Sequence, residues 1–231
     1  MRCLAWAVLF ASLSNSMVAQ AVSETKPSKH LARVFKHAVK GNTEAQFQVA
    51  QAYWDGKGIS QDDQEAARWY RLAADHGLPK AQTNLGYMYA TGRGVERDDT
   101  EAFKWFLRAA TAGSAAACSD VAVMFEAGRG TPRDDKAAFE WFTRAASKRN
   151  YIAYVGLAEL YLAGRGTRRD ETKGMELISE AAKHGVATAQ AMLAKASSRD
   201  LSGEHTSLAL SVMENPLGVS SVSGLAQPKQ H

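Results

Sequence analysis

The sequence predicts an all-α fold, a right-handed α-solenoid of about four to five helix–loop–helix repeats with a period of 36 residues. Two observations support this prediction. A Gly-basic-Gly tripeptide occurs four times, and apolar residues around it recur in register at helical spacing. The four copies are Gly56-Lys57-Gly58, Gly92-Arg93-Gly94, Gly128-Arg129-Gly130 and Gly164-Arg165-Gly166. A strict period of this length is typical of solenoids, in which each repeat packs on its neighbours.

The first helix of each repeat is predicted just before the glycines. In the first copy Ala45, Val49, Ala50 and Tyr53 are separated by steps of four, one and three, which place them on one helix face. The small residue lets a neighbouring helix approach closely, and the aromatic residue fills the space beside it. The same pattern begins again at Ala81, Ala117 and Ala153.

The second helix of each repeat is predicted after the glycines and carries a tryptophan column. Its pattern is an alanine followed by alanine or phenylalanine, then a Trp-aromatic pair, then two alanines. The pattern starts at Ala66 and recurs with Trp105 and Trp141. The fourth copy has Leu177 and Ile178 where the Trp-aromatic pair stood, so the apolar pattern continues without the tryptophan.

Capping residues punctuate these helices. Aspartates followed three residues later by glutamate resemble capping boxes at helix starts, and glycines occupy the positions where second helices should end. These residues are Asp62, Glu65, Asp98 and Glu101 for the starts, and Gly77, Gly113 and Gly185 for the ends. Residues 28–40 resemble a degenerate second helix ending at Gly41, and residues 189–194 a lone first helix, so half repeats are expected to cap the array.

The combined pattern resembles the Sel1-like repeat family, which is related to tetratricopeptide (TPR-like) repeats. The resemblance rests on A-x-x-x-L-G-x-x-Y-x-x-G-x-G, a capped loop, and A-x-x-W-Y/F-x-x-A-A-x-x-G, and it covers residues 45 to about 196. It implies an adaptor or scaffold role in protein–protein interaction rather than one particular chemistry. It also implies that the first helix of each repeat lines a concave groove.

The N-terminus predicts export. Met1-Arg2 is followed by an apolar run over 4–11 and by small residues at Ala19 and Ala21, the pattern of a cleavable signal peptide. We therefore predict a signal peptide over 1–21, a linker over 22–27, the repeats over 28–199 and a mostly disordered tail over 200–231. The apolar run is shorter than the roughly 20 residues of a membrane span, so we expect a periplasmic or secreted protein without stable membrane insertion. An uncleaved N-terminal anchor is the alternative.

Cleavage near Ala21 would remove Cys3 and leave Cys118 as a single cysteine. Some secreted relatives are cysteine-rich and carry a disulfide in each repeat, which this chain cannot do. Cys118 is expected to be a free, partly buried thiol, with an intermolecular disulfide or a redox role as the alternatives.

Charge and motifs disfavour several functions. The net charge is only +4, and the basic rows Lys57, Arg93, Arg129 and Arg165, and Arg97, Arg133 and Arg169 are followed by acidic pairs such as Asp98-Asp99. These charges are expected to neutralise one another along the loop edge, which together with the leader argues against nucleic acid as a partner. The six histidines share no metal-ligand spacing, and no nucleophile or phosphate-loop motif occurs. We therefore predict no catalytic residue, metal or cofactor, and no enzymatic activity.

Binding residues are predicted from positions on the first helices that are not used for packing. Aromatic and amide groups among them suit peptide capture, because aromatics supply contact area and amides hydrogen-bond to backbone. The predicted set is Gln48, Gln51, Trp54, Asn84, Tyr87, Asp120, Val123, Glu126 and Glu159. For Trp54 the alternative is a structural role, in which the indole covers the open end of the array.

The sequence thus favours a non-enzymatic periplasmic or secreted adaptor or regulator that binds an envelope protein, a toxin or a host protein in the concave groove. An immunity protein that neutralises a toxin is one form of this function. The alternative is a scaffold for, or a hydrolase acting on, cell-wall material, including a β-lactamase-like activity, and assays on peptidoglycan or a β-lactam would discriminate it.

Overall fold

The computed structural model describes residues 29–202 of the 231-residue chain, with side chains described through residue 197. This part contains ten α-helices and no strand. They are α1 (Lys29–Val39), α2 (Thr43–Asp55), α3 (Asp63–Asp75), α4 (Pro79–Thr91), α5 (Asp99–Thr111), α6 (Ala115–Ala127), α7 (Asp135–Ser147), α8 (Tyr151–Ala163), α9 (Glu171–Lys183) and α10 (Ala187–Ser202). The predicted all-α class with 36-residue helix–loop–helix repeats is confirmed. The first helices of the repeats are α2, α4, α6, α8 and α10.

The chain divides into two compact units, with the boundary between Asp98 and Asp99. In the first unit, α1, α2, α3 and α4 pack in chain order, each against the next. Phe35 of α1 makes edge-to-face contacts with Tyr53 and with Trp69, both at 6.0 Å between ring centroids. The helix predicted over 28–40 therefore completes the core of this unit through its buried face.

In the second unit, helices α5 to α10 also pack in chain order. Phe103 meets Phe125, and one repeat later Phe139 meets Tyr161, in edge-to-face pairs at 5.1 and 5.3 Å. The core continues to the last helix, where Ile178 and Ala189 are fully buried in one cluster. Trp105 of α5 is only 4% exposed, whereas Trp69 and Trp141 are half-buried.

Aspartates cap the second helices as predicted. Asp62 accepts hydrogen bonds from the backbone N–H groups of Gln64 and Glu65, and Asp134 and Asp170 cap α7 and α9 in the same way. The backbone N–H of Asp62 donates to the Tyr53 carbonyl at 3.0 Å, not to Glu65 as a capping box would require. The same bond recurs in each loop, so this N–H closes the loop onto the preceding helix.

The two glycines of the second, third and fourth Gly-basic-Gly loops have different functions. The first one ends the helix in the left-handed conformation, for example Gly128 at φ 65°. The second one allows a close backbone approach: a Cβ on Gly130 would lie 2.0 Å from the carbonyl oxygen of Asp99. Gly94 and Gly166 are in equivalent contacts with Asp63 and Asp135. A side chain at these positions would push the loop away from the second helix of the preceding repeat.

The arginine between the glycines pairs with a different acidic residue from the one predicted. Neutralisation was expected from the acidic pair that follows in the same loop. Instead, the arginine side chain reaches the acidic pair of the preceding repeat and contacts its second aspartate, 30 positions earlier in the chain. The pairs are Arg93–Asp63 at 2.7 Å, Arg129–Asp99 at 2.6 Å and Arg165–Asp135 at 3.8 Å. Arg133 of the second basic row pairs locally, with Asp135 at 3.0 Å.

One helix end departs from the glycine pattern. Arg149 takes the position of Gly77, Gly113 and Gly185 and adopts φ 59°, the only positive φ of a non-glycine residue in the described part of the chain. The left-handed conformation costs a residue with a Cβ about 1–2 kcal/mol. The next residue, Asn150, donates from its side chain to the Ala115 carbonyl and to the Ser119 hydroxyl, which fixes this turn against α6.

A buried column of amide side chains connects successive helices. Gln46 and Gln82 donate to the carbonyls of Ala38 and Ala74, each eight residues earlier. In the third repeat Cys118 takes this position, with its sulfur 3.9 Å from the Ala110 carbonyl. Cys118 is only 1% exposed, and burial raises the pKa of its thiol. The prediction of a buried thiol is therefore confirmed, and this burial works against a redox role.

The predicted signal peptide, linker and C-terminal tail lie outside the described residues, except that α10 extends to Ser202. Within residues 29–202, no helix combines the length and the apolar character needed to cross a membrane.

We expect the close approach of the second glycine to be essential for stability. Gly130→Ala should lower the free energy of unfolding by roughly 3 kcal/mol or more, from the strained φ together with the clash against Asp99. Gly185→Ala is the matched control, because its φ is also positive and nothing lies within 4 Å of the added Cβ. Urea denaturation would measure both, and equal losses would show that the clash is relieved without cost.

Trp105 should be a major contributor to the core. Trp105→Ala is expected to cost about 3–5 kcal/mol of unfolding free energy, the range found for buried aromatic truncations. Thermal and urea unfolding would measure it. A near-neutral result would contradict the burial of the indole.

Candidate functional site

The predicted binding residues of the first unit lie on α2 and α4 and differ in accessibility. Gln48 and Gln51 are exposed, whereas Trp54, Asn84 and Tyr87 are half-buried. The remaining positions of α2 are largely committed to packing, since Ala45, Val49 and Tyr53 are all buried. The exposed amides are therefore the accessible part of this surface.

Trp54 is held by the next repeat. The guanidinium carbon of Arg93 lies 3.4 Å from the centroid of the Trp54 ring, a stacked cation–π contact. Arg93 also pairs with Asp63, and this ion pair lowers the pKa of the Asp63 carboxyl. The indole also makes an edge-to-face contact with the Tyr70 ring, with 6.5 Å between the ring centroids. Trp54 and Arg93 thus form one preorganised polar–aromatic surface.

Asn84 is tied to the same cluster. Its side chain is hydrogen-bonded to the hydroxyl of Tyr70, which is only 1% exposed, and burial raises the pKa of that phenol. The first unit therefore brings Trp54 and Asn84 together around Tyr70. Asn84 consequently has a structural function in addition to any contact with a ligand.

In the second unit the predicted residues lie on α6 and α8. Val123 is 37% exposed, one of the few large apolar side chains at the surface of the described part. Asp120, Glu126 and Glu159 are half-buried. This surface is more acidic than the surface of α2 and α4, where the predicted residues carry no formal charge.

Arg165 lies close to three carboxyl groups, those of Glu126, Asp135 and Glu159. Its guanidinium forms an ion pair with Glu126 and approaches Asp135 at 3.8 Å. Burial, together with the nearby Glu126 carboxylate, raises the pKa of Glu159 to about 7, and Arg165 opposes this shift. Glu159 is therefore a carboxyl group that changes its charge near neutral pH.

Sequence reasoning missed the contribution of Arg93 and Arg165 to this surface. Both were assigned to a solvated loop edge, yet they contact Trp54 and Glu126, respectively, in the preceding repeat. The sequence does indicate that these arginines have a structural function, because they repeat in register with the glycines. Their reach of 39 residues back along the chain could not be deduced from local spacing.

These residues are suited to binding a ligand by non-covalent contacts. Aromatic rings, amides, carboxylates and an exposed valine can bury area and form hydrogen bonds with a peptide or protein. Across residues 29–202 no group of three or more His, Cys, Asp and Glu side chains is arranged to hold a metal ion.

A family model described as Sel1 repeat matches residues 43–78, 79–114, 115–150 and 152–186. A Sel1 repeat protein from Oxalobacter formigenes is similar, with 32% identity, a TM-score of 0.68 and coverage of 80% of this chain and 74% of that protein. The protective antigen c5321 of uropathogenic Escherichia coli strains is similar with 30% identity and a TM-score of 0.68 over 80% of this chain. This chain spans only 39% of the length of c5321.

The stability of the second unit should depend on the charge of Glu159. Its pKa is raised in the folded state, so the folded state binds more protons than the unfolded state between about pH 4.5 and 7. Stability should therefore fall as pH rises through this window, by about 1 kcal/mol or more. Glu159→Gln should flatten that part of the stability profile, measured by urea unfolding at several pH values.

The exposed Glu140 supplies the matched control, since Glu140→Gln removes the same carboxylate from a solvated position. If the two variants gave the same profile, the raised pKa of Glu159 would be wrong.

Proposed function

Because this chain belongs to the Sel1 repeat family, we propose that it is a non-enzymatic periplasmic or secreted adaptor or regulator that binds a protein partner through its first helices. Members of this family typically take part in protein–protein interactions. The observation that carries the proposal is the accessibility of Gln48, Gln51 and Val123 on helices whose other faces are buried. These exposed residues have no role in the core.

The composition of the proposed surface supports a peptide-like ligand. On the first unit, Trp54 and Tyr87 supply aromatic area beside the amides of Gln48 and Gln51. Trp54 is already fixed by Arg93, so little side-chain entropy is lost when a ligand packs against it. On the second unit, Asp120, Glu126 and Glu159 supply carboxylates that suit basic or N–H-rich segments.

The proposed compartment rests on the N-terminal sequence. A basic start, an apolar run and small residues at Ala19 and Ala21 support export and cleavage before Val22. N-terminal sequencing of the exported protein tests this directly, since an intact Met1 would contradict cleavage.

The partner classes that fit this proposal are an envelope protein, a toxin or a host protein. If the partner is a toxin, the protein would act as an immunity protein that neutralises it. A scaffold for a cell-wall enzyme uses the same surface, and it would change the location of that enzyme rather than its rate. A hydrolase is a different class, and we expect purified protein to leave peptidoglycan and a β-lactam unchanged.

The decisive experiment introduces bulk and charge at the exposed positions. We expect Gln51→Arg together with Val123→Arg to abolish capture of partners from envelope extract, because both changes obstruct the proposed surface without touching the core. Capture would be followed by identification of each retained protein and by binding measurements with the purified partner.

Gln64→Arg together with Thr143→Arg is the matched control, since it adds the same charge to second helices at exposed positions. The control should bind as the unmodified protein does. Loss in the control and retention in the first variant would move the binding surface to the second helices and refute the proposal.

A further inference from the structure

We propose that a cleft between α1 and the first turns of α2 is a carboxylate-binding site that takes an acidic segment of the protein partner. This inference rests on the proposed function and extends it by naming the chemistry of the ligand at one place. The cleft has a volume of about 230 Å³. Its lining comprises His30, Arg33, Val34 and His37 from α1 and Asn42, Glu44, Ala45 and Gln48 from α2 and its cap.

The basic side chains converge because of the helical repeat. His30, Arg33 and His37 are separated by three and four residues, so they share one face of α1. The buried residues of α1, including Leu31, Phe35 and Ala38, hold that helix against its neighbour. The position of the basic face is therefore fixed by packing.

These three side chains differ from the paired arginines of the loops. Among the described residues, no hydrogen bond, ion pair or ring contact involves the side chain of His30, Arg33 or His37. By contrast, Arg93, Arg129 and Arg165 are each paired with a carboxylate of the preceding repeat. Arg33 is exposed, so an incoming anion would not have to displace an internal partner from it.

The surrounding charge favours an anion. From Lys29 to Gly41 the chain contains Lys29, Arg33, Lys36 and Lys40 and no acidic residue. Glu44 is the acidic group at the wall of the cleft, and it is exposed to solvent. A guanidinium beside imidazoles matches a carboxylate, which accepts two hydrogen bonds from the arginine fork and further bonds from ring N–H groups.

The cleft is continuous with the proposed partner surface. Gln48 lines the cleft and also belongs to the predicted binding set, and the exposed Gln51 follows it on the same helix. A peptide whose acidic side chain occupies the cleft can therefore place its backbone beside amides that donate and accept hydrogen bonds. This continuity favours a peptide over a free small anion.

The test uses two labelled peptides that differ only in charge, one with three glutamates spaced by glycine and one with three glutamines at the same positions. Fluorescence anisotropy at low salt should show binding of the glutamate peptide alone. Arg33→Gln should weaken that binding by about tenfold, the loss of one charge-assisted hydrogen-bonded pair. Arg33→Lys should recover only part of it, because lysine lacks the fork.

Lys36→Gln is the matched control, since it removes one charge from an exposed position of α1 outside the cleft. We expect it to change affinity by less than about twofold. His30→Gln with His37→Gln provides a second test of the cleft, and circular dichroism would verify that every variant remains helical.

Several outcomes would overturn the inference. Equal losses in Arg33→Gln and Lys36→Gln would indicate diffuse attraction to a basic helix, and equal binding of both peptides would exclude the carboxylate. Displacement of the peptide by equimolar inorganic phosphate would indicate a small-anion site. Binding to phosphatidylglycerol vesicles that is stronger than binding to the peptide, and that Lys36→Gln weakens as much as Arg33→Gln does, would indicate a membrane surface instead.

These results are separable from failure of the proposed function. Gln51→Arg with Val123→Arg tests capture of the natural partner, whereas the peptide assay needs no natural partner. Loss of the Arg33 effect with partner capture intact would refute the cleft alone.

Discussion

The contact on which the rest of this structure depends joins the second, third and fourth Gly-basic-Gly loops to the second helix of the preceding repeat. Gly94, Gly130 and Gly166 allow the loop backbone to approach that helix more closely than any side chain would permit. The arginine beside each glycine pairs with an aspartate on the same helix. Because one tripeptide both ends its own helix and fastens its repeat to the one before, the helices between the loops can vary in composition.

This dual function explains why so much of the fold could be predicted from sequence. The helices, their aspartate caps and the 36-residue period follow from spacing, since glycine, aspartate and alanine each have a local conformational reason for their position. Arg149 could not be anticipated, because its strained φ is imposed by the turn that Asn150 anchors on α6. The ion-pair partners of Arg93, Arg129 and Arg165 could not be predicted from the sequence either, because other acidic residues lie nearer to each arginine in the same loop.

The binding surface was less predictable than the fold. Gln48, Gln51 and Val123 were found by excluding packing positions, and their exposure agrees with that reasoning. The surroundings of Trp54 depend on Arg93 from the loop of the following repeat. Those of Glu159 depend on Arg165 in the next loop of its own repeat and on Glu126 of the preceding repeat. The cleft on α1 was not predicted, because that helix was interpreted only as a half repeat that caps the array.

The reach of the arginines has a consequence for how the chain acquires its structure. Among the described residues, the side-chain contacts that join neighbouring repeats within each unit connect residues no more than 39 positions apart. Little loop-closure entropy is lost when such contacts form, and a chain with low contact order folds quickly. Each repeat can be secured as soon as the next loop is available, so the described repeats are suited to fold progressively, in chain order, during synthesis.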